Sequence, residues 1–280
     1  AGQAGRGNLP FESFGVMYDC SRQAVPTVEY LHHWLRRLAL FGCNLLMLYT
    51  EETYQLPDEP AFGYMRGGYS ADEIRAVDAC AARLGVELVP CIQTLGHLAQ
   101  FLKWPSSRAV RDTGSVLLAD EPATEELIER MIRFWSENVR SRRIHIGMDE
   151  AHDLGRGRFM DKHGAENSFA IFNRHLAKVE AICEAHGMKP MIWSDMYFRM
   201  GNPDSLYYDR KTVIPPEVRA AIPQHTELVY WDYYHNDTAF YREWIERHRR
   251  DLGKDPLAAS GAWCWSRFWY DHAKTAATAG

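Results

Sequence analysis

The chain has 280 residues, 46% hydrophobic, 25% charged and 12% aromatic, with a formal charge of −5, a globular composition that excludes disorder, collagen and coiled coil. The acidic balance argues against nucleic acid or an anionic membrane as the main partner. No apolar run reaches the roughly 18 residues of a transmembrane helix.

Residues 1–13, opening Ala1-Gly-Gln-Ala-Gly-Arg-Gly, carry no signal-peptide pattern and read as an N-terminal extension. A strand is predicted at Phe14–Asp19, followed by a helix with Leu31, Trp34, Leu35 and Leu38 on one face and Gly42 as its stop. The second strand, Cys43–Tyr49, leads to a helix opened by the capping box Ser70-Ala-Asp-Glu73 and stopped at Gly85. Strand three, Val86–Cys91, precedes a helix that Pro122 to Thr124 opens and that carries Leu127, Ile128, Met131 and Trp135. Strand four is Ile144–Met148, then comes a helix with Phe169, Phe172, Leu176 and Val179, ended by Gly187. Strand five (Pro190–Trp193), strand six (Glu227–Trp231), a helix through Phe240, Trp244 and Ile245 ended by Gly253, and strand seven (Leu257–Cys264) complete the pattern.

Strand-helix alternation at this spacing means parallel strands joined by crossover helices. A doubly wound open sheet could be written this way, but no glycine-rich phosphate loop follows the first strand, which favours a (β/α)8 TIM barrel spanning residues 14–280. The seventh helix runs into Ala277-Thr-Ala-Gly280. The eighth strand is therefore expected to be missing and the barrel to be truncated and weakened at its C-terminus.

In such a barrel the chemistry sits at the carboxyl ends of the strands. Those ends carry Asp19 and Arg22, Glu51-Glu52, Gln93 and His97, Asp149-Glu150, Trp193 and Asp195, Tyr230 with Asp232 and Tyr233, and Trp263 with Trp265. Carboxylates ringed by aromatic faces suit a neutral polyhydroxylated ligand. The densest motif is Ile144-His-Ile-Gly-Met-Asp149-Glu150-Ala-His152. Two adjacent carboxylates can divide the work of a glycosidase, one protonated and donating to the leaving oxygen, one charged and stabilising the oxocarbenium-like transition state. Alternatively both are acidic first-turn residues of the segment that follows. A metal site from Asp149, Glu150, His152, Asp153 and His97 is a further reading, disfavoured because no HxH or HExxH pair exists, so no metal and no cofactor are expected. Cys20, Cys43, Cys80, Cys91, Cys183 and Cys264 form no CxxC and read as reduced, buried thiols, which points to a cytoplasmic protein.

Eight segments, in this order and at strand ends, resemble glycoside hydrolase family 20, the β-N-acetylhexosaminidases: Phe14–Arg22, Leu48–Thr53, Phe62–Gly67, Cys91–His97, His145–His152, Trp193–Asp195, Val229–His235 and Gly261–Trp265. The resemblance is to the bacterial branch with a helical C-terminal domain. It implies an exo-acting hydrolase of glycans ending in GlcNAc or GalNAc, in which the substrate's own 2-acetamido oxygen is the nucleophile and an oxazolinium ion forms. It implies Glu150 as general acid/base and Asp149 as the group that orients the acetamide and stabilises charge. Tyr230 would donate to the acetamide carbonyl, Trp193 would wall its pocket, and Asp195 and Asp232 would bind sugar hydroxyls. Glu51 with His97 would form a relay beneath the acid, and Trp263 and Trp265 would be pocket walls. Family members carry an arginine where this chain has Phe14, so Arg22 or Arg66 is expected to take over hydroxyl recognition. Self-association is left open. An idle sugar-binding barrel and a conventional two-carboxylate glycosidase remain as rivals.

Overall fold

The computed structural model describes residues 11–22, 24–261 and 272–279. Seven strands are present among the described residues: β1 (Gly15–Asp19), β2 (Leu45–Glu51), β3 (Glu87–Ile92), β4 (Arg143–His145), β5 (Lys189–Trp193), β6 (Glu227–Trp231) and β7 (Leu257–Ala259). They form one parallel sheet in sequential order, each strand pairing with the next. Sequential order separates a barrel-type sheet from a doubly wound one, where the strand order reverses at a switch point. The register runs Gly15↔Leu45, Leu45↔Glu87, Cys91↔His145, Arg143↔Lys189, Met191↔Glu227 and Val229↔Leu257.

The connecting helices begin where local chemistry starts them. Helix α1 (Val28–Leu40) is capped by Thr27, α2 (Ala71–Arg83) by a closed Ser70–Glu73 capping box, and α3 (Pro122–Asn138) starts on its proline. Asn167 caps α4 (Ser168–Ala185), a short α5 (Asp195–Met200) follows β5 directly, and Asp237 caps α6 (Thr238–Arg247). Helix α7 is His272–Ala279. Gly42, Gly85, Gly187 and Gly253 all adopt the left-handed φ that the sequence pattern assigns to helix stops. No helix among the described residues is long and apolar enough to cross a membrane.

Strand parity sorts the core into two layers. Leu46, Leu48, Leu88, Ile144, Ile192 and Leu228 face the helices and join their buried faces in one large cluster with Leu35, Ile74, Trp135, Phe172 and Trp244. Leu45, Met47, Val89, Met191, Trp193, Val229 and Trp231 point the other way into a second, smaller cluster. This is the alternation of a barrel wall, one parity to the helices and one to the interior. Truncating a fully buried member such as Leu48 to alanine would cost about 2–5 kcal/mol.

Most strand boundaries shift by one or two residues from the sequence pattern, and two differ by more. Strand β4 ends at His145 rather than Met148, because Gly147 and Met148 both take positive φ and leave the ladder. Strand β7 ends at Ala259, and its predicted continuation to Cys264 runs into residues outside those described.

Candidate active site

The site is built where β4 leaves the sheet. Gly147, at φ +73°, has no room for a side chain: a Cβ would stand 2.1 Å from Gln93 Oε1 and 2.7 Å from the Ile92 carbonyl oxygen. That close approach lets the Gln93 amide stitch β3 to β4. Its oxygen accepts from Met148 N–H (3.2 Å), and its nitrogen donates to Asp149 Oδ1 (2.7 Å) and to Tyr49 Oη (2.9 Å). Gly96 makes a second contact of this kind, since a Cβ there would lie 2.5 Å from the Asp149 carbonyl oxygen.

In regular extended chain Asp149 and Glu150 would project to opposite sides. Positive φ at Met148 (72°) and Glu150 (45°) breaks that alternation. Both carboxylates consequently meet His97, whose Nε2 lies 3.1 Å from Asp149 Oδ2 and 3.1 Å from Glu150 Oε2, while its Nδ1 lies 3.8 Å from Glu51 Oε1. His97 (57°) and Glu51 (48°) are themselves in the left-handed region. Such a backbone costs about 1–3 kcal/mol per non-glycine residue and persists where the surroundings fix it, and four cases converge on this one cluster.

The electrostatics follow from this packing. Burial opposes a charge on His97, but Asp149, Glu150 and Glu51 outweigh it and hold the imidazolium up to about 11. Burial likewise works against the Asp149 carboxylate, yet the His97 cation and the Gln93 amide keep it below its ordinary range. Asp149 is thus an anion with its lone pairs aimed by neighbours. Glu150 stands more open, with 35% of its side chain exposed against 11% for Asp149. Glu51 is pushed up to about 7 by burial, against the pull of Arg22 and His97. Asp195, at the first position of α5, accepts the Glu150 backbone N–H at 3.1 Å. Burial and the nearby Asp149 charge raise its carboxyl well above the usual carboxylate range.

Trp193 lies on the interior parity with its ring centroid 4.5 Å from that of His145. The His145 ring, lowered by burial to about 4, is neutral, and its Nδ1 accepts the Gly147 N–H. Trp193 Nε1 and His145 Nε2 are buried with no hydrogen-bond partner among the described residues. Buried donors left in this way are polar groups a ligand or water can satisfy.

Of the residues singled out in the sequence, Asp149, Glu150, His97, Glu51, Trp193 and Asp195 are brought to this one end of the sheet. Arg22 is fixed nearby, 2.9 Å from Asp19, 3.7 Å from Glu51 and over the Tyr49 ring. Arg66 pairs at 3.0 Å with Glu52, which is fully buried. Phe14 precedes β1, at the opposite end of the strands from the carboxylates, and is exposed. Tyr230, expected at the acetamide, packs elsewhere in this structure. It shares parity with Leu228, so its ring packs on the helix side against Tyr208 and His248, and its hydroxyl donates to Asp232 Oδ2 at 3.2 Å. Asp232, expected to bind a sugar hydroxyl, is buried. Its oxygens are occupied by the Tyr234 and His235 amides and by His235 Nδ1 at 2.8 Å, which closes the turn after β6. Trp263 and Trp265 lie outside the described residues.

The residue on the interior parity beyond β6 is Tyr233, stacked on Trp231 at 5.2 Å. The Asp149 and Asp195 charges, after burial, raise its phenol. Counting by twos from Val229 and Trp231 would have found it. Tyr207, in the loop after α5, was missed because an irregular loop has no period: its hydroxyl lies 3.5 Å from Glu150 Oε1 and its ring packs on Trp231. No three His, Cys, Asp or Glu side chains among the described residues are arranged to hold a metal ion.

The model of the glycosyl hydrolase family 20 catalytic domain matches residues 11–239. The chain is 28% identical to human Hexosaminidase D over 242 residues, which is 81% of this chain and 46% of that protein. It is 24% identical to Hexosaminidase D of Bos taurus, covering 87% of this chain and 67% of the relative. The chain therefore spans about half the length of the human relative. The fold matches the family 20 β-N-acetylhexosaminidase of Streptomyces coelicolor with a TM-score of 0.62 at 18% identity, over 88% of this chain and 47% of that one. It also matches the Vibrio harveyi exo β-N-acetylglucosaminidase, solved with N-acetylglucosamine, with a TM-score of 0.65 at 16% identity over 89% and 41% of the two chains.

Proposed function

The chain belongs to glycoside hydrolase family 20, and on that premise we propose that it is an exo-acting β-N-acetylhexosaminidase using its substrate's acetamide as nucleophile. The observation that carries this reading is the inequality of two adjacent carboxylates. Asp149 is buried, ion-paired and held as an anion, while Glu150 faces outward.

In the first step the acetamide carbonyl oxygen attacks C1, the bond to the leaving oxygen breaks, and Glu150 gives that oxygen its proton. The oxazolinium ion that forms carries positive charge and an N–H. Asp149 accepts the N–H and opposes the charge from a fixed position, so little reorganisation is needed. In the second step Glu150 takes a proton from water as the water oxygen attacks C1, which restores the acetamide and the acid. Tyr233 takes the part that sequence reading gave to Tyr230, donating its hydroxyl to the acetamide carbonyl for in-line attack. Trp193 walls the acetamide pocket, Asp195 steadies the Glu150 backbone and offers a hydroxyl partner to the sugar, and Arg22 and Arg66 supply the cationic rim. The buried, unpaired cysteines among the described residues support a reducing compartment such as the cytoplasm.

Hydrolysis of an aryl β-GlcNAc glycoside, of the matching β-glucoside, and of both by Asp149→Ala tests the reading. Turnover of the acetamido sugar alone, lost in the variant, is the expected result. Equal turnover of both sugars, or an indifferent variant, sinks it.

A further inference from the structure

Glu150 is held from two sides by unlike partners. On Oε2 stands His97 Nε2 at 3.1 Å, part of an imidazolium that can only donate. On Oε1 stands the Tyr207 hydroxyl at 3.5 Å, a group that can donate or accept. Tyr207 in turn hydrogen-bonds His152 Nε2, and His152 is exposed. Trp231 packs edge-on against the Tyr207 ring at 5.4 Å and the Arg199 guanidinium lies 5.4 Å over it, which fixes the phenol between the two partners.

We propose that Tyr207 and His152 form a reversible hydrogen-bond arm that places the acidic proton of Glu150 on Oε1 and sets the pH at which that proton is lost. A proton on Oε2 would face the His97 cation with no acceptor. On Oε1 it is donated to the Tyr207 oxygen, and the Tyr207 hydrogen turns to His152 Nε2. When Glu150 has passed its proton to the leaving oxygen, the Tyr207 hydrogen swings back and donates to the Oε1 anion, and the Nε2 lone pair of His152, which is open to solvent, is taken up by water. Water then returns a proton to Oε1 and the arm reverses. No proton is gained or lost over the cycle. Burial and Arg199 lower His152 below its ordinary value, which keeps it a neutral ring able to accept. The remaining groups that face the pair are Asp149 and Asp195 at the strand ends, Tyr234 beyond β6, and Asp153 beside His152. Both residues act through Glu150 and are positioning residues; the inference rests on Glu150 being the general acid.

The two halves of the arm push in opposite directions. A tyrosine that donates favours the carboxylate, whereas a histidine that accepts from the tyrosine favours the carboxylic acid. The test is the alkaline limb of kcat/KM on a β-N-acetylglucosaminide with a poor, alcohol leaving group, where activity falls as the acid ionises. Tyr207→Phe is expected to move that limb up by about half to one pH unit, and His152→Leu to move it down. His152→Gln, which keeps an acceptor, restores the original limb, and the double variant Tyr207→Phe/His152→Leu behaves as Tyr207→Phe alone. An unmoved limb in Tyr207→Phe, or shifts of the same sign in both single variants, overturns the arm. Glu150→Gln separates that failure from failure of the acid assignment itself: full activity of this variant overturns the acid reading, whereas its loss with an unmoved Tyr207→Phe limb overturns the arm alone.

Discussion

Asp149 and Glu150, neighbours in the chain, converge on one atom: His97 Nε2 stands 3.1 Å from a carboxylate oxygen of each. Two carboxylates this close would ordinarily raise one another's proton affinity. The imidazolium between them opposes that repulsion at Asp149, which has a second donor in the Gln93 amide.

Replacing His97 by glutamine removes the cation that holds Asp149 low. In the proposed mechanism Asp149 works as an anion, so activity is expected to disappear as pH falls through its pKa, and a raised pKa moves this acidic limb upward. The expected displacement is about one to two pH units, read from kcat/KM between pH 3 and 9. An unchanged acidic limb would show that Asp149 is held low by something other than His97.

Glu51→Gln tests the cost of the buried glutamate. Its folded value of about 7 stands above the ordinary 4.5, so the folded state binds the proton more tightly, and wild-type stability declines as pH rises from 4.5 to 7. The glutamine variant resembles the protonated form. It is expected to match the wild-type melting temperature at pH 4 and to exceed it at pH 8; a variant equally or less stable at pH 8 contradicts the raised value.

Gly147→Ala and Gly42→Ala share a left-handed backbone but differ in surroundings. At Gly42 a Cβ meets nothing within 4 Å, whereas at Gly147 it meets Gln93 Oε1 at 2.1 Å. The Gly42 change is expected to cost about 1 kcal/mol from backbone alone, and the Gly147 change about 3 kcal/mol or more with loss of activity as Gln93 is driven off Asp149. Urea unfolding of both, with kcat alongside, measures the difference.

Tyr233→Phe and Tyr230→Phe distinguish the two parities of β6. The first is expected to lower kcat by tenfold or more on the acetamido substrate. The second removes a buried hydrogen bond to Asp232, costs about 1 kcal/mol of stability, and leaves kcat within a factor of a few. The reverse pattern would return the acetamide contact to Tyr230.

Much of this molecule is written locally. Alternating apolar runs and amphipathic segments, the Ser70–Glu73 box and the four glycine stops depend only on near neighbours in the chain, so the order of strands and helices was legible, and with it the rim on which Asp149, Glu150, His97 and Glu51 sit. What the sequence by itself did not decide was direction. Whether Tyr230 or Tyr233 faces the interior depends on the parity of β6 against β5 and β7, and Asp232 could not be known as a turn residue until His235 folded back onto it. The convergence of Asp149 and Glu150 required φ reversals at Met148 and Glu150, which no side-chain pattern announces. Tyr207 reaches Glu150 across 57 residues through a loop without periodicity. Local composition determines which elements form, because their energies are local; which side chains meet at the carboxyl ends is a property of the packing between strands, and only the tertiary structure decides it.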